Sequence, residues 1–309
     1  MITVFGFNTS IDKAADLDDL APGAVNRIRN VRRYPGGKGL HVALTVATLG
    51  EPVRLVGLID AVHRKEFEDF LSARSVEFHP IHTPGPIRTC LSLRDRNSTR
   101  TTELLEPGPE TDAATRQEAL RRVLALARGS SSAVLSGSLP PGFDDHTYAD
   151  LVTELRKEGV RALVDASGRL LAHAVAARPF LIKPNRDEAE ALTGKRVDSL
   201  PRALRAARSL SDRGIDLVVL SLGAEGALAV TPDQALHGRV EVARTENAVG
   251  SGDCLLGGIA VAQARNADLA ELLRLGVACG AANAKTRDTG SLRAEDVASL
   301  QRRASITPL

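Results

Sequence analysis

Residues 247–262 read NAVGSGDCLLGGIAVA. Gly250, Ser251 and Gly252 form a turn, Asp253 follows, and an apolar helical run begins at once. Glycine relieves the Cβ clash where backbone must present its N–H groups to a ligand. A helix starting at such a turn adds its positive end, which suits an anion. Asp253 is then placed to take a proton from a substrate hydroxyl while the amides offset charge on a transferring phosphoryl group. An ordinary glycine turn with Asp253 as N-cap accounts for the same residues. The rest of the chain decides between the two.

Outward from that stretch, short β-rich runs (ITVFGF, VRLVGL, TCLSL, SAVLSG, RALVDA, FLIK, LVVLSLG, ALAV) are separated by amphipathic helical patterns such as TRQEALRRVLALAR and HTYADLVTELRKEG. This alternation predicts βαβ units on a mainly parallel sheet covered by helices, an α/β fold. Two stretches break it. Residues 9–34 and 83–106 read as extended, polar-alternating hairpins with no return helix, and so as a small β-sheet lid inserted into a single domain spanning residues 1–309.

Four further segments offer chemistry, each with a plainer alternative. In RYPGGKGLHVALTVATLG, Gly36, Gly37 and Gly39 surround Lys38, as an anion or sugar site or as a loop for close helix packing. The lysine is followed by Gly39 and Leu40, so the Walker pattern does not fit. LIKPNRDEAEALTG sets Lys183, Asn185, Asp187 and Glu188 past a strand, at the end where open α/β sheets bind ligands. Asn185 and Glu188 suit a metal reached through water, or a helix capping box. VVLSLGAEGALAV reads as a nucleotide-side glycine turn or a plain hairpin, and Ser138 in VLSGSLPPG as a ligand contact or a turn residue.

The bulk composition excludes several classes. Forty Lys and Arg against 38 Asp and Glu give a net charge of +2, no electrostatic case for nucleic acid or membrane. The basic run VNRIRNVRR fits a solvated or phosphate-facing strand. Cys90, Cys254 and Cys279 match no disulfide framework or zinc spacing, which predicts a reducing compartment. MITVFGFNTS reads as a first buried strand rather than a signal peptide, and no apolar run approaches the ~20 residues of a membrane span. A cytoplasmic protein is expected.

The order of the segments, from NTSIDKAADLDDLAPGAVNR through PGGKGLHVA, IRTCLSL, TELLEPGPE, SGSLPPG, VDASG, LIKPNRDEAE and SLGAEGA to NAVGSGDC and LGVACGAANAK, resembles the ribokinase-like (PfkB) carbohydrate kinases. Within them it is similar to the hexose-phosphate branch that includes 1-phosphofructokinase and tagatose-6-phosphate kinase. The resemblance implies a Rossmann-like three-layer α/β/α domain with a β-sheet lid that serves dimerisation, and phosphorylation of a sugar hydroxyl using ATP and Mg²⁺. By match, Asp253 is the base, and the backbone of Gly250, Ser251 and Gly252 is the anion hole. Asp12 and Gly37 hold sugar hydroxyls. Lys38 and Arg88, joined by Ser138, grip the phosphate already on the substrate. Asn185 and Glu188 serve Mg²⁺ and phosphates. Ser221, Gly223, Glu225, Gly226 and Gly252 line the nucleotide groove, with Asn283 near the adenine.

The chain departs from the family pattern at several places. His41 stands where Asn is usual in GGKG-x-NVA. If it touches the substrate, specificity or pH dependence differs, since His titrates near neutrality; otherwise it is a neutral stand-in. Ser251 replaces the commoner Ala, Thr9 replaces Pro as a change in stiffness only, and RDTGS replaces Gly-Thr-Gly, on which a monovalent-cation site would depend. GAVNRIRNVRRYPGGKG and TELLEPGPE look closest to 1-phosphofructokinase. Fructose 1-phosphate is therefore the first expected substrate, with tagatose 6-phosphate and fructose 6-phosphate next. The rival from another class is a non-catalytic sugar or nucleotide sensor on the same fold.

Overall fold

A computed structural model describes residues 1–97 and 100–309. Ser98 and Thr99, inside the second expected lid stretch, lie outside the described residues. In chain order the elements are β1 (Ile2–Phe5), β2 (Ser10–Leu17), β3 (Arg29–Gly36), α1 (Lys38–Thr48), β4 (Val53–Ile59), α2 (Arg64–Ser72), β5 (Val76–His82), β6 (Arg88–Asp95), β7 (Thr101–Leu105), α3 (Ala113–Ala127), β8 (Ser132–Ser136) and α4 (Thr147–Lys157). They continue with β9 (Arg161–Asp165), α5 (Gly168–Ala176), β10 (Leu181–Ile182), α6 (Arg186–Thr193), α7 (Leu200–Ser211), β11 (Leu217–Ser221), β12 (Ala227–Val230) and β13 (Ala235–Arg239). Last come α8 (Ser251–Ala264), α9 (Leu269–Ala284), α10 (Ala294–Arg303) and β14 (Ser305–Pro308).

The larger sheet has the order β14-β13-β12-β11-β10-β9-β8-β1-β4-β5. From β11 to β5 all pairs are parallel, and β12, β13 and β14 extend the edge antiparallel. Its strands carry apolar residues on both faces, the signature of a sheet covered twice. Along β1 and its extension, Ile2 and Val4 join the core under α1, α2, α8, α9 and α10, while Phe5 and Phe7 join the core under α3 to α7. Val53 and Leu55 of β4 face the first layer, and Val56 and Leu58 the second. The observed fold is the expected α/β/α arrangement. Helix α8 is apolar all round because it packs against both α1 and α9, which leaves it no solvent face.

The second sheet has the order β3-β2-β6-β7, with β2 parallel to β6 and antiparallel to β3, and β6 antiparallel to β7. It sits on the main body through polar contacts. Arg32 reaches Asp288 at 2.8 Å, the Thr289 amide donates to the Tyr34 hydroxyl, Arg33 pairs with Glu66, and Arg94 lies 3.3 Å from Glu246. Thr9, expected to alter stiffness alone, also donates its hydroxyl to the Leu58 carbonyl. Among the described residues no helix is long and apolar enough to cross a membrane.

Candidate active site

Polar residues gather at the carboxyl ends of the parallel strands, the end at which open α/β sheets bind ligands. Asp165 is the last residue of β9, Lys183 follows β10, Ser138 follows β8 and Asn8 follows β1. Asp165 is buried, with Lys183 Nζ 3.2 Å from Oδ1 and Lys38 Nζ 3.7 Å from Oδ2. The lysines compensate it as charges rather than in hydrogen-bond geometry. Burial alone would raise its pKa, yet Lys183 and Lys38 hold it below the usual carboxylate range. Lys38 is pushed above the ordinary lysine range, chiefly by Asp165 against opposing burial, with smaller help from Asp253 and Glu188. Its side chain remains 45% exposed whereas that of Lys183 is 5% exposed, so Lys38 is the lysine a ligand can reach.

His41 occupies the first turn of α1, and its ring is buried between two carboxylates. Nδ1 is 2.9 Å from Asp253 Oδ2, and Nε2 is 3.3 Å from Asp12 Oδ2, a charge contact outside hydrogen-bond geometry. The Ser10 hydroxyl donates to the other oxygen of Asp12 at 2.6 Å. Burial opposes protonation of His41, but its contacts with Asp12 and Asp253 outweigh that and push its pKa up to about 9. Asp12 moves the opposite way: burial would raise it, and His41, Ser10 and Arg88 together hold it low. The site therefore joins the small sheet, through Asp12, to the N-terminus of α8.

Arg88 opens β6 and donates to the backbone carbonyls of Asn8 (3.1 Å) and Glu106 (3.3 Å). Asn8 Nδ2 in turn donates to Ser138 Oγ and the Pro107 carbonyl. A Cβ on Gly137, next to Ser138, would lie 3.4 Å from Lys38 Cβ. Arg88 and Ser138 are thus joined through Asn8, a residue not singled out from the sequence, and Lys38 lies beside Gly137. In the lysine's own loop, the close-packing reading is the one observed. Gly37 caps α1 with φ 109°, and Gly39 packs directly on the Gly6 backbone.

On the other side, Asn185 and Glu188 form the reciprocal capping box at the start of α6. Glu188 Oε2 accepts from the Asn185 amide at 2.9 Å, leaving Oε1 outside the box. Burial raises the Glu188 pKa first, and Asp165 adds to it against the box and the two lysines. Gly223–Glu225 form a single 3₁₀ turn between β11 and β12, closed by the Gly226 amide donating to the Gly223 carbonyl. Ser221 donates its amide to the Pro184 carbonyl, and Glu225 pairs with Arg186 at 2.7 Å. These bonds fasten the turn beside the start of α6.

The glycine turn differs from expectation in three respects. Gly250 is the N-cap of α8, in the left-handed conformation with φ 83°, and Asp253 lies in the first turn rather than at the cap. The Ser251 amide is spent on the Ala248 carbonyl at 3.2 Å, so it does not belong to a free anion hole. Gly252 and Asp253 are the first-turn residues whose amides have no carbonyl behind them in the helix. Asn283 does not lie at a nucleotide surface. It is fully buried, with Nδ2 donating to the Val249 carbonyl and Ser251 Oγ, and Oδ1 accepting from the Ser291 amide. Its role is to brace the turn from behind.

Mg²⁺ demands no protein cage, since one or two carboxylates plus substrate phosphates and water suffice. Glu188 Oε1, with Asn185 beside it and Lys38 close enough to feel its charge, meets that requirement. Among the described residues no group of three or more His, Cys, Asp or Glu that could hold a metal ion is present.

The pfkB family carbohydrate kinase profile matches residues 4–295. A 1-phosphofructokinase of Xanthomonas campestris pv. campestris is 36% identical over 295 residues, 94% of this chain and 93% of its own length. A tagatose-6-phosphate kinase of Staphylococcus epidermidis is 30% identical over 298 residues, 96% of each chain. Among solved structures, phosphofructokinase-2 from Escherichia coli in complex with potassium superposes with a TM-score of 0.89 at 27% identity, covering 98% of both chains. The cleft of buried carboxylates, lysines and a helix N-terminus therefore stands in a chain that belongs to the pfkB family of carbohydrate kinases and is a sugar kinase, a phosphotransferase acting on an alcohol group.

Proposed function

We propose that the chain transfers the terminal phosphoryl group of ATP to a hydroxyl of a sugar phosphate, with fructose 1-phosphate as the first-choice acceptor. The observation that carries this reading is that His41 bridges Asp253, at the N-terminus of α8, to Asp12 of the small sheet, with Asp253 in the field of Lys38. Phosphoryl transfer asks mainly for positioning and charge stabilisation. Asp253 takes the proton of the acceptor hydroxyl as the new O–P bond forms and ADP leaves. The first-turn amides of Gly252 and Asp253, with Lys38, face the transferring group. Asp12 orients the sugar, and Arg88 with Ser138 takes the phosphate already present. Glu188 and Asn185 would hold Mg²⁺, which would supply positive charge against the phosphate oxygens.

The small sheet acts in this reading as the lid and as the surface on which two copies pair. Val25, Val31, Leu104 and Leu105, on or beside it, are each more than half exposed. Sedimentation of wild-type protein and Leu104→Glu tests the pairing, and a monomeric wild type rejects it.

ADP release across fructose 1-phosphate, fructose 6-phosphate, tagatose 6-phosphate, fructose and ribose decides the acceptor, with Asp253→Asn as control. Turnover confined to a sugar phosphate, with a loss of about 10²–10⁴ in the variant, is the expected result. Equal rates with ribose, or an active variant, reject the reading.

A further inference from the structure

One buried ring in the cleft has no assigned part in the transfer. His41 is held on every side. Its amide donates to the Gly37 carbonyl, and its carbonyl accepts from the Thr45 hydroxyl. A Cβ on Gly290 would lie 2.1 Å from the ring's Cγ, so the loop at 287–291 presses its backbone on the imidazole. Asp12 is confined likewise, because a Cβ on Gly36 would lie 2.1 Å from its Cγ. The ring therefore cannot turn without displacing backbone, and each nitrogen has one carboxylate oxygen to face.

We propose that His41 is a positioning residue for the base. As an imidazolium it fixes Oδ2 of Asp253, directs Oδ1 to the acceptor hydroxyl, and couples the base to the sugar-orienting Asp12. The proposal rests on the kinase reading above. During transfer the hydroxyl proton moves to Asp253 Oδ1 while His41 keeps its own proton. A neutral ring still donates through Nδ1, but its bare Nε2 then faces the Asp12 carboxylate, and repulsion replaces attraction.

The charged and titratable groups around the ring agree. Asp12 from β2 and Asp253 from α8 touch it. Glu103 from β7 feels both aspartates, Lys38 and His41, and burial foremost raises its own pKa. Arg88 from β6 and Tyr34 from β3 act on the ring through Asp12, and Lys38 of α1 through Asp253. Two contacting carboxylates outweigh these more distant cations, in keeping with a ring charged up to about pH 9.

The test compares wild type, His41→Asn, which keeps a donor without a charge, and His41→Leu, which keeps neither. Steady-state kinetics for both substrates run from about pH 6 to about pH 10, and NMR of ¹⁵N-labelled histidine follows the imidazole in wild type and Asp253→Asn. His41→Leu is expected to lose about 10²-fold in kcat with KM for ATP little changed. His41→Asn is expected to recover most of that loss, and to lack the fall in kcat that wild type shows above about pH 9. The His41 midpoint is expected to drop in Asp253→Asn. Wild-type kcat in His41→Leu, the same alkaline fall in His41→Asn, or an unmoved midpoint would each overturn the proposal. Should His41→Leu fail to fold, the other two comparisons decide. An inactive wild type instead overturns the kinase reading, and the NMR midpoint then decides the His41–Asp253 pairing alone.

Discussion

Gly290 lies against the His41 ring so closely that one added methyl would collide with it. Its φ of +62° already disfavours a side chain. Gly290→Ala must therefore shift either the loop or the imidazole. The expected cost is about 1–3 kcal/mol of stability, with a fall in kcat larger than any change in KM for ATP. Thermal unfolding and steady-state kinetics on the same preparation check both. An Ala variant that melts and turns over like wild type would show that the loop yields freely.

Asp165 balances two lysines from different elements, α1 and the end of β10. Asp165→Asn leaves the enclosed Lys183 ammonium without its carboxylate, and loss of one partner from a buried pair costs about 3 kcal/mol or more. Because the Asp165 pKa is depressed in the fold, its stabilisation is present above the unfolded value of 3.8 and is lost as pH falls through the lower folded value. Acid unfolding below that value should be steep in wild type and flatter in Asp165→Asn. Circular dichroism across that range makes the comparison.

His41 gives the opposite sign. Its folded pKa of about 9 lies above the unfolded 6.5, so its contribution is fully present below 6.5 and is lost as pH rises through about 9. The amount is on the order of 3 kcal/mol. The melting temperature of wild type should decline over that interval, and that of His41→Asn should decline less. Parallel curves would mean that the ring is not charged in the fold.

Arg88→Ala should raise KM for the sugar phosphate by about 10–10² fold, the worth of a charge-assisted hydrogen bond. KM for ATP should move far less, because Arg88 belongs to β6 of the small sheet and is bonded to the Asn8 and Glu106 carbonyls. Equal effects on the two substrates would remove Arg88 from the acceptor side.

The alternation of strands and helices was legible because a twice-covered parallel sheet needs apolar runs at regular intervals. Strands at its rims were not. Val76–His82 carries Pro80 and was not among the expected strands, yet an edge strand tolerates proline. β13 and β14 are short, and pairing rather than composition makes them strands. Asp253 and Lys38 stood out beside glycines, and His41 as a departure from the family pattern. Asp165 did not, since a single aspartate ending an apolar run looks the same whether it caps a turn or anchors two lysines. Asn283 was placed near the adenine by the resemblance alone, and its partners in the fold are the turn's own carbonyl, hydroxyl and amide groups.

The pairing of Asp165 with Lys38 and Lys183, and of His41 with Asp12 and Asp253, leaves three anions facing three cations before any substrate arrives. An approaching polyanion thus meets an interior already near electroneutrality, and must draw Lys38 from Asp165 rather than find it idle. Capture of the nucleotide should accordingly weaken only gently with added salt, as befits short-range exchange of partners rather than long-range steering.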